Sequence, residues 1–347
     1  MSSTAAQTKG TSSTPAASAA ASAAATAASA APTQGTSSTP TSAAAASGIS
    51  IVGIGCRLPG GAATPAAFWE LLTGTETAIA PIPADRGWSE GTGHVSSSQP
   101  AAPGTSITSN AGWVPDIDRF DHAAFKISRK EAEEMDPQQR LALECSFEAM
   151  LDARVDPASL SRSATGVFVG AGIAEYMAMA FGDPDAMTTH TMSGNSLAVI
   201  ANRISFMWDL RGPSLTTDTA CSSAMTAFHL GCQSLESRET NLALVVGVNV
   251  MLGPSPFIGF TSAQMLSPTG TSRPFDAEGN GFVRGEGCGS LLLVRTAELA
   301  TRAPHAREYA RVRGHGINED GRTKSLTMPS GEAQQVSRAE RSGAERS

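Results

Sequence analysis

The sequence predicts an α/β protein with a mostly parallel sheet and helices on both faces, and three observations lead there. Short apolar runs, such as Gly166-Val167-Phe168-Val169-Gly170, alternate along the chain with segments of helical periodicity. The runs are apolar without a polar alternate, as in strands buried on both faces. The clearest helical segment opens on Asp136-Pro137 and closes before Asp156-Pro157, which are ordinary start and stop signals.

Taken in order, residues 1–48 hold only Ala, Ser, Thr, Gly, Pro and Gln apart from Met1 and Lys9. Nothing there can offset the entropy of ordering, so a disordered linker that folding can dispense with is expected. Gly-Thr-Ser-Ser-Thr-Pro occurs twice in it, at Gly10 to Pro15 and Gly35 to Pro40, as in low-complexity linkers. No acid precedes Glu70, which brings an organelle transit peptide to mind, but such peptides are Arg-rich and this stretch has one Lys. Ile49 to Ile54 reads as a buried strand ended by Gly55. Residues 85–113, rich in Gly, Ser, Thr and Pro, read as a long surface loop.

In the segment from Asp136, the aspartate is the expected N-cap, Pro137 the first helical residue, and Leu141, Cys145, Phe147 and Leu151 the buried face. Ser214-Leu215-Thr216-Thr217, bounded by Gly212-Pro213, is a short strand. After it, Cys221, Met225, Phe228, Cys232 and Leu235 recur at steps of four and three, one apolar stripe of a helix that Asp218 or Thr219 can cap. Leu242 to Val250 is the most strand-like run in the chain, and Gly289 to Val294 makes another.

Cys221 falls in the first turn of its predicted helix. There the free amides and the dipole favour a thiolate and can face an acyl oxygen that gains negative charge. A buried first residue of the stripe fits the same spacing. Other functions are less well served by the sequence. A net charge of −7 without a basic run argues against nucleic acid, and no apolar run is long enough to span a bilayer. The five cysteines include no Cys-x-x-Cys pair, so neither a zinc site nor a disulfide framework is indicated, and Cys56, Cys145, Cys232 and Cys288 read as core residues. The run Gly279 to Gly287 lacks the Gly-Lys-Ser/Thr ending of a phosphate loop. Its Glu286 reads as a turn acid held by backbone N–H groups, with a general base as the other reading.

Asp218-Thr219-Ala220-Cys221-Ser222-Ser223 resembles the active-site hexapeptide of the β-ketoacyl synthases of type I polyketide synthases. The likeness continues through Ile51 to Gly61, Phe68 to Leu72, Met135 to Leu141, Gly212 to Ser214, Met265 to Pro268 and Phe282 to Gly287, in the family's order. It covers about residues 49–335, and the tail 336–347 leaves the pattern, as a truncated gene model or partial transcript would.

The resemblance implies the thiolase-like fold, with the first half and the start of the second present here. It also implies Cys221 as the nucleophile, a strand near the dimer contact at Leu242 to Val250, and a homodimer when complete. No bound cofactor is implied; the phosphopantetheine arm of an acyl carrier protein arrives as substrate. The family's two catalytic histidines lie in a His-Gly-Thr-Gly-Thr and an Asn-x-Gly-His motif, and neither occurs in this sequence. His315 matches a segment without a catalytic role. His229, eight residues past Cys221, stands roughly 12 Å along the helix, beyond reach of the sulfur.

The sequence thus reads as the nucleophile-bearing part of a ketosynthase that, when complete, extends acyl chains by decarboxylative Claisen condensation in polyketide or fatty acid biosynthesis. By itself it is expected to be acylated but not to condense. Two rivals are weighed: a non-condensing dimerisation or acyl-binding partner, which would have lost the cysteine, and a hydrolase, which needs a histidine beside Cys221. A cytoplasmic location is expected, or a plastid if residues 1–48 act as a transit peptide.

Overall fold

The computed structural model describes residues 48–335, apart from 89–91, 97 and 99. The expected linker, save its last residue, and the tail 336–347 lie outside the described residues. The chain opens with strand β1 (Ile49–Arg57) and helix α1 (Pro65–Thr73), whose first turn is held by the Thr64 hydroxyl accepting from the Ala67 N–H. Two short strands, β2 (Ile79–Ala80) and β3 (Ala111–Gly112), pair across a long connection. Next come α2 (Arg129–Glu134), α3 (Pro137–Asp152), β4 (Thr165–Gly170), α4 (Glu175–Ala180), α5 (Thr191–Asn195) and α6 (Leu197–Met207). They are followed by β5 (Ser214–Thr217), α7 (Ser223–Glu236), β6 (Leu242–Asn249), α8 (Ser255–Ser262), β7 (Gly287–Arg295), α9 (Leu299–Arg302) and β8 (Ala310–Val312).

Six strands form one sheet in the order β5-β4-β6-β7-β1-β8. Strand β4 is parallel to both β5 and β6, whereas β7 is antiparallel to β6 and β1, and β8 to β1. Four strands, β1, β4, β5 and β6, therefore run one way, and β7 and β8 run against them.

Both faces are covered, and the period-two alternation of the strands shows how. Val167, Val169, Leu244, Val246, Leu292 and Val294 pack against Leu143, Cys145 and Met150 of α3 and Ile200 and Ile204 of α6. Phe168, Ala243, Val245 and Leu293 point the other way, onto Ala227, Cys232 and Leu235 of α7. Each Val, Leu, Ile, Phe and Met among them contributes about 1.5–3 kcal/mol on burial, against at most about 1 kcal/mol for an exposed ion pair. These two layers therefore dominate the stability.

Strand β1 runs through Gly55 to Arg57 rather than ending at the glycine. Gly53 and Gly55 serve close packing instead: a Cβ there would lie 2.0 Å from the Ala149 carbonyl oxygen and 2.1 Å from that of Cys145. Helix α3 begins as expected, with Asp136 accepting from the Gln138 N–H at 2.8 Å. Its buried face differs from the expected one. Leu141 and Cys145 are buried, but Phe147 and Leu151 are 36% and 51% exposed. Because α3 is wedged between the sheet and α6, its covered arc is wide and rotated, taking in Ala142, Leu143, Ala149 and Met150. Phe147 sits at the border, stacked on Trp208.

Residues 85–113 are only partly the surface loop expected. Trp88, Ala111 and Trp113 close a third core with Met251, Phe257 and Leu266, the two tryptophan rings lying 5.0 and 5.9 Å from that of Phe257. Two large aromatics outweigh the polar residues around them.

Candidate functional site

The C-terminal ends of the parallel strands β4, β5 and β6 open at one end of the sheet, where α/β folds place their ligands. Strand β5 leads through Asp218 and Thr219 into a 3₁₀ turn, Ala220–Ser222, which passes directly into α7. Cys221 is the middle residue of that turn, just ahead of the helix in which it was expected.

Side chains lock the turn. The Asp218 carboxylate accepts from the Ala220 N–H at 2.8 Å, the Ser223 hydroxyl accepts from the Thr219 N–H at 2.9 Å and donates to the Ala220 carbonyl at 2.7 Å, and Ser222 donates to the Thr219 carbonyl at 2.9 Å. Asp218 thus caps the turn rather than α7, and Thr219 caps neither, its hydroxyl being paired with Thr226 and Ser222.

Ala220 has φ +55°, a left-handed conformation that disfavours a Cβ by about 1–2 kcal/mol. The hydrogen bonds on both sides hold that strained residue next to the cysteine. Two glycines bring the helix close. A Cβ on Gly170, the last residue of β4, would lie 2.3 Å from the Ser223 carbonyl carbon, and one on Gly247 of β6 would lie 2.6 Å from the Ala224 Cβ.

This placement alters the expected stripe. Cys221 is exposed and Met225 is 40% exposed, while the buried face of α7 is Ser223, Thr226, Ala227, Gly231, Cys232, Ser234 and Leu235. The strands end beneath Ser223 and Ala224, so the turn before them overhangs the sheet and Cys221 has no core to enter. The other four cysteines are buried. Burial pushes the thiol of Cys56 up to about 11 and that of Cys232 to about 12, which keeps both protonated near neutrality.

Among the described residues, no histidine nitrogen is hydrogen-bonded to the Cys221 sulfur. His229 and His315 are paired with each other instead, an arrangement that sequence spacing did not reveal. Glu286 is the turn acid: its carboxylate accepts from the N–H groups of Val114 and Met251 and from Arg86, and it is 5% exposed. Nothing in the sequence marked Arg86 as its partner. Strand β6, expected near a dimer contact, lies inside the sheet between β4 and β7, and the outermost strands are β5 and β8.

The sequence profile described as "Beta-ketoacyl synthase, N-terminal domain" matches residues 46–298. A phenolphthiocerol/phthiocerol polyketide synthase of Mycobacterium tuberculosis (strain CDC 1551 / Oshkosh) is 44% identical over 270 residues, which are 78% of this chain and 14% of that protein. Among solved structures, the ketosynthase from module 6 of the bacillaene synthase of Bacillus subtilis 168 superposes with a TM-score of 0.74 at 35% identity, over 83% of this chain and 47% of that one. The oxazolomycin ketosynthase domain of Streptomyces albus JA3453 gives 0.77 at 34% identity, over 84% and 49%. The chain therefore spans about half the length of these ketosynthases and about a seventh of the mycobacterial synthase. A cysteine turn set on the ends of parallel strands, a thiolase-like sheet and these likenesses all point the same way: the chain belongs to the β-ketoacyl synthase family, among the ketosynthases of type I polyketide synthases.

Proposed function

We propose that Cys221 accepts an acyl group from the phosphopantetheine thioester of an acyl carrier protein or domain, as the nucleophile of a condensing acyltransferase. The observation that supports this most is the contrast among the cysteines: Cys221 alone is exposed, on a strained and hydrogen-bonded turn at the start of a helix. The sulfur attacks the thioester carbonyl, the new C–S bond forms, and the carrier thiol leaves with the proton. The N–H groups at the start of α7 favour the negative charge that gathers on the carbonyl oxygen during this step.

In a complete ketosynthase, a malonyl-type thioester on the carrier then loses carbon dioxide. The resulting carbanion attacks the acyl-Cys221 carbonyl, and Cys221 leaves as thiolate. The carrier is the partner of each step, and a homodimer is the assembly that this reading adopts. The test is an intact-mass measurement after incubation with an acyl-carrier thioester. The native chain is expected to gain one acyl mass and the Cys221→Ala variant none. Equal acylation of both would remove Cys221 from the mechanism.

A further inference from the structure

Helix α7 and the segment after β8 meet through two imidazoles separated by 86 positions in sequence. Nδ1 of His315 lies 2.8 Å from Nδ1 of His229, with the ring centroids 4.8 Å apart and the planes at 68°. On its far side, Nε2 of His315 is 3.1 Å from a Glu236 carboxylate oxygen. Most of the His315 side chain is covered, only 12% being exposed, and the more exposed Glu236 closes over it from the solvent side.

A contact between two ring nitrogens is a hydrogen bond only when one carries a proton and the other a lone pair. With its Nε2–H donated to Glu236, His315 offers its Nδ1 lone pair to the Nδ1–H of His229, or takes a second proton and donates it the other way. Either state carries at most three N–H groups on four ring nitrogens. A fourth proton puts N–H against N–H and two like charges side by side.

We propose that His229, His315 and Glu236 form a clasp that fastens residues 313–320 to helix α7 at neutral pH and releases them as the pH falls through the histidine range.

The charges acting on His229 are those of His315 and Glu236. Burial first, and His315 second, push its pKa below the ordinary histidine value, with Glu236 opposing them. Cys232 on the same helix stays protonated, its pKa pushed up to about 12. The strands beneath α7 present apolar Phe168, Val245 and Leu293. The charges around β8 are engaged elsewhere, Arg311 with Glu308 and the Tyr309 hydroxyl with Asp152, while Arg313 is exposed.

The sign follows from these groups. A detached His229 binds its proton near pH 6.5, and the docked one binds it less well. Docking therefore keeps its full strength above that pH and weakens as the pH falls below it. The clasp does not depend on the role of Cys221, so either reading can fail alone.

Hydrogen exchange with mass readout on the full chain tests it, at about pH 7.5 and about pH 5.5 and corrected for intrinsic exchange, a range that spans histidine titration. Protection of residues 313–320, taken relative to α3, is expected to fall about tenfold at the lower pH, the factor by which a free imidazole favours its protonated form one pH unit below its ordinary value. The His229→Asn variant should show no such fall, and Glu236→Gln should move the midpoint to higher pH, because without that carboxylate the docked pair holds even its first proton less well than the detached imidazoles do. An unchanged ratio in the native chain, or the same fall in His229→Asn, would overturn the proposal.

Discussion

Cys221 differs from the other cysteines in one measurable respect: a reagent can reach its sulfur, while theirs lie in the core. Limiting iodoacetamide on the folded chain is accordingly expected to alkylate Cys221 before any other thiol, as read by peptide mass mapping. Earlier labelling of Cys56 or Cys288 would contradict this. At this scale the sequence was informative where chemistry is written locally. The hexapeptide around Cys221 and the backbone-bound acid Glu286 could both be read from their neighbours. What could not be read is pairing across the chain. His229 is not hydrogen-bonded to Cys221, and its partner comes from a segment 86 positions away. Arg86 reaches Glu286 across a still longer interval of 200 positions. Neither pair leaves a periodic trace, because each depends on how the sheet is ordered.

Elements were legible in proportion to their apolar content. Strands β4, β6 and β7 stand out because their residues are buried on both faces, and α3 because Asp136 and Pro137 mark its start. Helix faces were less so: the periodicity of α7 placed Cys221 and Met225 in the core, and the end of the sheet beneath them leaves both outside. Gly170 and Gly247 set that limit, and their role is tertiary. The Gly170→Val variant should therefore be costly, since its Cβ would have to share space with the Ser223 backbone at 2.3 Å. Helix α7 must then retreat from β4, which predicts a loss of about 2–3 kcal/mol in chemical denaturation. A weaker acylation of Cys221 should accompany it, because the turn moves with the helix. Gly314→Ala is the control, as a Cβ there meets nothing within 4 Å. Equal stability of the two variants would show that the helix is not seated by this contact.

For the whole molecule, the direction of β7 and β8 was the part of the topology that the apolar runs could not give, since a buried strand reads the same both ways. Function at this scale turns on which residues the chain possesses. On the proposed reading, acylation draws chiefly on Cys221 and the amides at the start of α7, and both are here. Condensation also needs the extender carbonyl polarised as carbanion character develops, and in the family two histidines do this. Neither of their motifs occurs among the 347 residues. Among the described residues, His229 and His315 are hydrogen-bonded to each other and not to Cys221. Without charge stabilisation the decarboxylation barrier stays largely uncatalysed. The chain is thus expected to form acyl-Cys221 from an acyl-carrier substrate and to release no carbon dioxide when a malonyl-carrier substrate is added. A longer chain that carries both histidine motifs should do both. Release of carbon dioxide together with a β-ketoacyl product from the 347-residue chain would sink this prediction and assign the chemistry to a histidine already present, His315 first.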